Sequence, residues 1–404
     1  MPKLIIITLI LQSTFPTFAS KMKLLVKNLL VLFFITYHSA PLLAQKKIWD
    51  HPLIQRFTSS KKDSTRSARL LVLPVFGYTQ ETGFEYGLTG IYNFYTDKTD
   101  TSIYTSNFNT VTSLTTEKQI NLKLESDIWT TGNKYHYIAA IRYKKYPFKY
   151  YGLGDQTNAA DKILLTQKYI QLNFEVEKKI IKNYYGGLNA RFENYNFEEA
   201  LQDESFDPNT IYGGGGGKYI ALGISQSYDN RNSNTETTKG LYGRAKYAYA
   251  PNFWGGDNFS GGIFSMDLRA FFPLHKHVTL GIQGIYETLF SMNIPFYLTN
   301  QLGNDEMMRG YYQGRYRNKN YFAGQGEIRY RIHPRIGLAA FLGAGTVYND
   351  KIDLSHLKLS GGGGLRYFFD LEHNSSIRLD YAIGEKRQGE KRQGGFYLAL
   401  GQAF

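Results

Sequence analysis

The sequence contains no cysteine. Disulfide bonds, cysteine-ligated zinc and thiol nucleophiles are therefore excluded. It also has no uninterrupted apolar run of the roughly 18 to 20 residues that a transmembrane helix requires. Tyrosine and glycine, by contrast, number 33 and 40 among the 404 residues. This composition is too rich in both for an ordinary helical enzyme, and it favours β structure.

The first 44 residues contain two apolar segments, each of which follows a lysine. The second predicts a secretory signal peptide, because Lys23 precedes an apolar core at 29–36 and Ala44 is a small residue at the end. We therefore expect residues 1–44 to be a signal region, with Met22 as the plausible start and the residues before it as a start-site artefact. A membrane anchor is the alternative, and the short apolar core disfavours it.

From residue 69 onward, polar and apolar residues alternate in segments of about ten, as is typical of antiparallel strands. In YIQLNFEVEK, residues 169–178, Ile170 and Leu172 fall on one face and Gln171 and Asn173 on the other. An even number of strands returns the chain to the end where it began. Sixteen segments can be counted, centred near residues 73, 88, 108, 123, 139, 172, 188, 222, 244, 265, 283, 326, 342, 363, 380 and 399.

Two architectures compete for these strands, a soluble β-sandwich and a membrane barrel. In KYHYIAAIRYKKY, residues 134–146, one face has tyrosines at both ends and aliphatic residues between them. Tyr135 to Tyr143 spans roughly 26 Å, or about 20 Å after a tilt of about 40°, close to the ~25 Å apolar band of a barrel. The sequence thus predicts an all-β transmembrane antiparallel β-barrel over 69–404, preceded by a short periplasmic tail at 45–68.

The segment GGFYLALGQAF, residues 394–404, predicts a final strand. Phe396, Leu398, Leu400 and Phe404 share its predicted lipid face. A last strand that closes on phenylalanine resembles the targeting signal of bacterial outer-membrane barrels. We therefore expect an outer-membrane location, with outer-membrane lipids and lipopolysaccharide as partners. The formal charge of +13 suits anionic surfaces, but the cations are spread along the chain, so nucleic acid is not expected.

Several motifs occur in a specific order towards the end of the chain. SYDNRNSNTETTKG (227–240) and MMRGYYQGRYRNKN (307–320) are followed by AGQGEIRY (323–330), GLAAFLGAGTVYND (337–350), SGGGGLRYFF (360–369) and IRLDYAIG (377–384). Together they resemble the barrel of the BamA/TamA family, also called bacterial surface antigen proteins. The resemblance implies that the sixth extracellular loop folds back into the lumen.

In that family the loop tip is an Arg-Gly-aromatic motif pinned by carboxylates on strands twelve and thirteen. The resemblance assigns this motif to Arg309, Gly310 and Tyr311, with Glu327 as the acid on strand twelve. Alternation independently places Glu327 towards the lumen. An arginine suits the position because its planar guanidinium can hold a carboxylate through two hydrogen bonds. We expect Gly310 to permit a close backbone approach and Tyr311 to wedge against the inner wall.

One motif departs from the family pattern. Strand thirteen usually carries Phe-x-Asp-x-Gly, whereas this chain has Phe341, Gly343 and Gly345 at the corresponding positions. Because Gly343 has no side chain, it cannot accept a second salt bridge. Either the contact is weaker than in the family, or Asp267 or Asp380, which both face the lumen by alternation, takes the place of the second acid, and the sequence does not choose among these alternatives.

Four further arginines are expected inside the barrel: Arg329, Arg331, Arg366 and Arg378. Together with Asp380, Arg366 and Arg378 could form a functional patch. The simpler interpretation is a solvated structural network, which is the usual state of polar residues in a barrel lumen.

Catalytic and ligand-binding patterns are absent from the sequence. His136 is the one histidine placed mid-strand and facing inward, and no Ser/Asp pattern lies near it to make it a catalytic base. The glycine runs at 213–217 and 361–364 have no Lys-Ser/Thr after them, which disfavours a phosphate loop. We therefore expect no enzyme activity, no cofactor and no metal. The alternative, a barrel hydrolase, would depend on His136.

The resemblance implies a role in the assembly, insertion or translocation of outer-membrane components, with client outer-membrane proteins or periplasmic chaperones as possible partners. An incoming strand would pair at a weak seam between the first and last strands. Pro74 in the first strand fits such a poorly paired edge. The periplasmic POTRA modules of the family are not expected here. The alternative function is a gated, anion-favouring pore or a structural barrel with no assembly role.

Overall fold

The computed structural model describes residues 58–60, 65–79, 83–116, 118–199, 207 and 210–404. The predicted signal region and most of the predicted tail lie outside the described residues. In the part of the chain that is described, no helix is both long and apolar enough to cross a membrane.

Sixteen strands form one antiparallel sheet, and two short strands form a separate hairpin inside a loop. The sixteen are β1 (Arg69–Thr79), β2 (Gly83–Phe94), β3 (Ser106–Thr115), β4 (Ile120–Trp129), β5 (Tyr135–Tyr150), β6 (Ile163–Ile181), β7 (Tyr184–Glu199), β8 (Gly217–Asp229), β9 (Gly240–Ala250), β10 (Gly261–His275), β11 (Val278–Phe290), β14 (Asn320–His333), β15 (Ile336–Tyr348), β16 (Lys358–Asp370), β17 (Ser375–Ile383) and β18 (Gly394–Leu400). The hairpin is β12 (Asn300–Gln301) with β13 (Arg317–Asn318). Single 3-10 turns cover Thr131–Asn133, Phe296–Leu298 and Leu354–His356.

The barrel architecture predicted from the alternation is confirmed. Each of the sixteen predicted centres falls within one of the sixteen strands of the sheet. Ile170, Leu172 and Phe174 of β6 are exposed on the outer face, whereas Glu175 and Glu177 are buried. Apolar side chains outside and polar ones inside are the arrangement of a membrane barrel, so the sandwich alternative is wrong.

The connections alternate between the two ends of the barrel. Tight two-residue turns at 182–183, 276–277 and 334–335 lie at the periplasmic end. Residues 291–319 form the longest connection at the extracellular end and include β12 and β13. This connection is the sixth on that side, and we call it the sixth loop.

The two ends of the sheet, β1 and β18, meet at a seam. Strand pairing runs in order from β1 to β18, and no backbone ladder joins these two strands in the described residues. Instead, Leu71 of β1 and Ile91 of β2 pack with Phe369 of β16, and Ile377 and Leu400 border the same group. We call these five residues the seam cluster.

The members of the seam cluster come from opposite faces of the sheet. Leu71 alternates with the exposed Val72, so Leu71 points towards the lumen. Leu400 alternates in phase with Phe396 and Leu398, which are 76% and 74% exposed on the lipid face. Residues from the inner face of β1 and from the outer face of β18 therefore border one apolar cluster.

The chain after β18 leaves the lipid face. Gly401 has a φ of 81°, a left-handed conformation that favours glycine. The chain then turns inward, and Phe404 is buried against Phe271 with ring centroids 5.8 Å apart. The prediction that Phe404 shares the lipid face is therefore wrong, and Leu400 is only partly exposed. Strict alternation does not continue past Gly401 because the strand ends there.

A loop at the periplasmic end reaches across the lumen. It covers residues 230–239 between β8 and β9, and we call it the 230–239 loop. Asn234 hydrogen-bonds to the main chain of Thr105, and Thr235 donates to the main-chain oxygen of His373. These partners precede β3 and β17, so the loop connects distant parts of the barrel wall.

Candidate functional site

The sixth loop folds into the barrel and packs on the inner wall. Leu302, Met307, Met308, Tyr311 and Tyr316 of the loop are buried in one apolar cluster. The wall completes this cluster with Tyr321, Ala323 and Val347 of β14 and β15. Burial of this apolar surface stabilises the inward position of the loop.

Arg309 lies at the tip of this loop and is 0% exposed. Its Nη2 donates to Glu327 Oε2 over 2.8 Å and to Gln325 Oε1 over 3.3 Å. Its Nη1 donates to Asp380 Oδ2 over 2.7 Å. The guanidinium carbon lies 3.4 Å from the centre of the Phe341 ring. We call Arg309, Gln325, Glu327, Phe341 and Asp380 the Arg309 cluster.

The geometry settles which acid takes the second contact. Asp380 on β17 accepts from Arg309, whereas Asp267 on β10 accepts from Arg269 and Gln283. Strand thirteen, which is β15, contributes the Phe341 ring instead of a carboxylate. The second acid thus comes from two strands further along the sheet.

Three more arginines surround the two acids. Arg329 Nε donates to Glu327 Oε1 over 2.8 Å. Arg366 bonds to Asp380 and lies 3.6 Å from Glu327. Arg378 Nη1 lies 3.2 Å from Asp380 Oδ2, and its Nη2 reaches Asp305 over 2.7 Å. Arg329, Arg366, Arg378 and Asp380 are each buried, and their ion pairs form a structural network beneath the sixth loop.

The loop covers these charges and keeps water from them. Burial of an ion costs several kcal/mol unless paired charges and hydrogen bonds offset it. Both carboxylates accept from at least two arginines, which is how the cluster offsets that cost. A lysine in place of Arg309 would present a point charge and could not bridge two acids with fixed geometry.

Glycines on the inner wall make room for the cluster. A Cβ at Gly364 would overlap Asp380 Oδ1 and the Leu379 carbonyl oxygen. Gly343 faces the loop, because a Cβ there would lie 3.6 Å from the Met308 sulfur. The absence of the strand-thirteen acid therefore leaves space that the loop fills. A Cβ at Gly345 would likewise crowd Ala323.

The backbone of the tip is held by hydrogen bonds that the motif alone does not indicate. Gly310 has a φ of 102°, and its N–H donates to the Tyr397 hydroxyl over 2.7 Å. The Ser360 hydroxyl donates to the main-chain oxygen of Arg309. The Tyr311 hydroxyl donates to the Leu359 carbonyl and accepts from the Glu385 N–H. Tyr311 thus lies against the wall where the sequence expectation places it.

A second set of contacts joins the sixth loop to the extracellular loop at 384–393. This loop contains the repeat EKRQGEKRQGG at 385–395. The first glutamate of the repeat, Glu385, accepts from the Tyr316 hydroxyl. The second, Glu390, accepts from Arg315 Nη2 and from the Ala159 N–H, each within 3.0 Å. Glu385 and Glu390 are the first residues of the two copies of the repeat, and this equivalence in the sequence indicates that both acids can contact the sixth loop.

His136 does not have the surroundings of a catalytic base. Its Nδ1 lies 3.0 Å from Glu177 and its Nε2 lies 3.1 Å from Asp127, so carboxylates occupy both ring nitrogens. Its ring stacks on Trp129 with centroids 3.7 Å apart. The contacts describe a satisfied structural histidine. In the described part of the chain, no group of three or more His, Cys, Asp or Glu residues is placed to hold a metal ion.

These features define an outer-membrane β-barrel whose lumen is occupied by an inward-folded, arginine-tipped loop. The model of the Omp85 superfamily domain matches residues 76–404. The chain therefore belongs to the Omp85 superfamily, and it is a Gram-negative outer-membrane barrel protein of BamA-like fold.

Solved structures share this fold at low sequence identity. BamA from Haemophilus ducreyi lacking POTRA domains 1–3 is 13% identical, with a TM-score of 0.52, covering 83% of this chain and 70% of that one. CdiB from Acinetobacter baumannii is 13% identical, with a TM-score of 0.51, covering 83% and 65%. CdiB from Escherichia coli is 9% identical, with a TM-score of 0.53, covering 82% and 62%. The chain thus spans less than two thirds of either CdiB. No curated protein sequence matches it significantly.

Proposed function

We propose that this protein inserts or translocates outer-membrane components and that incoming strands pair at the seam between β1 and β18. The observation that carries the proposal is the seam itself, where an apolar cluster joins the two ends of the sheet and no backbone ladder links β1 to β18 in the described residues. Membership of the Omp85 superfamily and the likeness to BamA and CdiB support it.

Strand chemistry explains why such a seam suits this task. An edge strand presents N–H and C=O groups that can pair with another chain. β18 has only seven residues and β1 has eleven, so part of β1 would have no partner even if the two strands were paired. A client strand can add to such an edge by β-augmentation. Client outer-membrane proteins are therefore the partners that we propose.

The Arg309 cluster has a separate role in this proposal. We infer that it latches the sixth loop within the lumen and thereby keeps the barrel closed to bulk flow while the seam works. The buried contacts of Arg309 with Glu327 and Asp380 support this role. A loop so placed argues against a wide passive pore, which is the main rival function.

A crosslink across the seam tests the assembly role. Asn93 of β2 and Ser375 of β17 lie on opposite sides of it, with Asn93 Nδ2 and Ser375 Oγ 2.8 Å apart. Because the chain has no cysteine, Asn93→Cys with Ser375→Cys would form a single disulfide. In liposomes, we expect the oxidised protein to insert an unfolded barrel client at least about tenfold more slowly and a reductant to restore the rate.

The control crosslink joins two strands in the continuous part of the wall. Thr288 of β11 and Asn320 of β14 are directly paired, and their side chains are hydrogen-bonded. Thr288→Cys with Asn320→Cys should leave insertion unchanged. Equal insertion by the two oxidised proteins would overturn the proposal. Steady, anion-selective current through the unmodified protein in planar bilayers, unaffected by the seam crosslink, would favour the pore instead.

Lipid contact is a further part of the proposal. Lys386, Lys391 and Arg392 are exposed at the extracellular end, on the loop that contains the repeat. Cations at this height suit the phosphates of lipopolysaccharide. Removal of the three charges should weaken co-purification of lipopolysaccharide, and an unchanged ratio of lipid to protein would contradict this part.

We also propose that residues 1–44 are removed as a signal peptide and that 45–68 remain as a periplasmic tail. The positive start and apolar core of the segment support this. Amino-terminal sequencing of the protein from outer membranes should begin at Gln45. Recovery of the segment at 29–36 in the mature protein would contradict it.

A further inference from the structure

A cavity of about 610 Å³ lies at the periplasmic end of the lumen, and it adjoins the Arg309 cluster through Arg329 and Arg366, which line it and pair with Glu327 and Asp380. Its lining comes from the 230–239 loop, the 276–277 turn and strands β14 to β16. The volume falls within the range of roughly 300 to 1,000 Å³ that is typical of ligand pockets. We call this cavity the rim chamber.

The rim chamber is strongly basic. Among its described lining residues, Glu236 is the one carboxylate. The lining cations are Lys276, Arg329, Arg331 and Arg366, and His275 and His277 lie beside Lys276. Concentrated charge of one sign in a concave site attracts ligands of the opposite sign.

Two of these cations are poised for an anion. Arg329 is 8% exposed, and its Nη1 is buried without a hydrogen-bond partner among the described residues. The Arg331 guanidinium lies 3.4 Å from the centre of the Phe368 ring, and Arg331 Nε donates to the Pro334 carbonyl over 3.1 Å. A guanidinium fixed in this way loses little freedom when it binds a carboxylate.

The chamber already holds a carboxylate from the chain itself. Glu236, on the 230–239 loop, forms an ion pair with Arg331. Its side chain keeps 14% exposure and that of Arg331 keeps 21%, so water reaches this contact. Burial raises the pKa of Glu236, and Arg331 only partly opposes that shift. Glu236 is therefore an occupant that an external carboxylate can replace.

We propose that the rim chamber binds an acidic peptide segment, with one carboxylate of the ligand replacing Glu236 on Arg331. The assembly role above does not require this site, and binding to it can be measured without any client.

The lining favours a peptide over a bare anion. Pro273 and Phe368 give the chamber apolar surface next to its cations, which suits the backbone and methylene groups of a peptide. The segment that occupies it in this structure, Glu236 with Thr237 and Thr238, is itself irregular peptide with one carboxylate. Of the two arginines, Arg331 is the more available, because Arg329 Nη2 already donates to a main-chain oxygen of the terminal residue Phe404 over 2.7 Å.

Removal of the internal carboxylate gives the sharpest test. The full chain in detergent would be titrated into a fluorescently labelled tetraglutamate peptide, and anisotropy would report binding. Glu236→Gln frees Arg331, so the fraction of competent sites rises and the apparent Kd should fall about tenfold. A loop residue that acted only as structural support would weaken binding when changed.

Matched variants separate the chamber from the rest of the lumen. Glu287→Gln removes another lumen carboxylate, which lines a different cavity beside Arg191 and Lys246, and should leave the Kd unchanged. Lys276→Gln, on an exposed turn where folding is not at risk, should raise the Kd several-fold. An unchanged Kd in both Glu236→Gln and Lys276→Gln would overturn the proposal. Displacement of the peptide by inorganic phosphate at similar concentration would also overturn it, because the chamber would then be a general anion site.

Discussion

Two adjoining parts of the lumen use arginine in different ways. At the Arg309 cluster, Arg309 and three neighbouring arginines surround two acids, and the side chains of Arg309, Glu327 and Asp380 are 0% exposed. In the rim chamber, the Arg331 and Glu236 side chains keep 21% and 14% exposure. In the first set each acid is buried and held by at least two arginines, whereas the second pair is partly exposed to water.

This difference in hydration determines what each set of charges can do. Coulomb energies grow as the effective dielectric constant falls, and so does the cost of leaving one charge unpaired. The buried cluster therefore resists rearrangement, because any exchange of partners strands an ion. An exposed pair is worth only about 0 to 1 kcal/mol and exchanges readily. Arginine–carboxylate pairs thus stabilise the structure in the Arg309 cluster and form a binding surface in the rim chamber.

The largest expected effect comes from removal of the arginine that holds the sixth loop against the inner wall. Arg309→Ala leaves Glu327 and Asp380 without their shared partner and should cost about 3 to 5 kcal/mol of loop docking. This corresponds to a rise of roughly 100-fold to 1,000-fold or more in the open population of the sixth loop. Amide hydrogen exchange over residues 305–317 in detergent would measure it.

Two other variants serve as a control and as an intermediate case for this measurement. Lys386→Ala removes an exposed cation from the neighbouring extracellular loop and should leave exchange unchanged. Arg309→Lys keeps the charge but loses the planar fork, so we expect an intermediate rise. Exchange in Arg309→Ala equal to that of the unmodified protein would show that the apolar cluster alone holds the loop.

The next effect concerns the space beside Asp380. A Cβ at Gly364 would overlap Asp380 Oδ1, so Gly364→Ala should displace this carboxylate and destabilise the docked loop by about 1 to 3 kcal/mol. Gly284 is the matched control, because a Cβ there would meet no atom within 4 Å. Gly284→Ala should keep the urea midpoint of unfolding, whereas Gly364→Ala should lower it. Equal midpoints in the two variants would mean that the backbone near Gly364 shifts enough to accommodate the added methyl group.

The sequence was sufficient for the parts of the fold that depend on one strand at a time. Alternation predicts the sixteen strands and the inward direction of Glu327, since each follows from residues two apart. The partner of Arg309 on β17 could not be chosen in this way. Asp267 and Asp380 have the same local pattern, and only the three-dimensional position of the loop distinguishes them. The motif predicts Arg309, but it does not predict the three arginines that surround the two acids.

The end of the chain marks a second limit. The alternation in residues 394–404 places Phe404 on the lipid face, but a left-handed Gly401 ends the strand and the ring packs inside on Phe271. Glycine permits such a turn without requiring it. The unpaired seam between β1 and β18 is equally invisible in the sequence, because alternation along one strand does not tell which strands pair.

A smaller effect should follow from loss of the contact between the loop tip and β18. Tyr397→Phe removes the hydroxyl that accepts from the Gly310 N–H and should cost about 1 kcal/mol. Exchange of the Gly310 amide should therefore rise by roughly fivefold to tenfold, while Arg309 stays paired. Tyr381→Phe, on the exposed face of β17, serves as the control. A change as large as that of Arg309→Ala would mean that Tyr397 holds the loop.

The smallest expected effect lies at the extracellular end and depends on pH. Partial burial would raise the pKa of Glu390, but the Ala159 N–H and Arg315 outweigh it and hold that pKa below its ordinary value. A lowered carboxyl pKa stabilises the contact fully above the ordinary value near 4.3 and loses that stabilisation as pH falls through the folded-state pKa. Pepsin cleavage of the 384–393 loop should therefore increase relative to the sixth loop as pH falls from about 5 to 3. In Glu390→Gln, pepsin should already cleave the 384–393 loop faster at about pH 5, and the cleavage rate should change little as the pH falls to about 3. If both loops are released together on acidification, the contact of Glu390 with Arg315 also holds the sixth loop, and the Arg309 cluster does not keep that loop docked by itself.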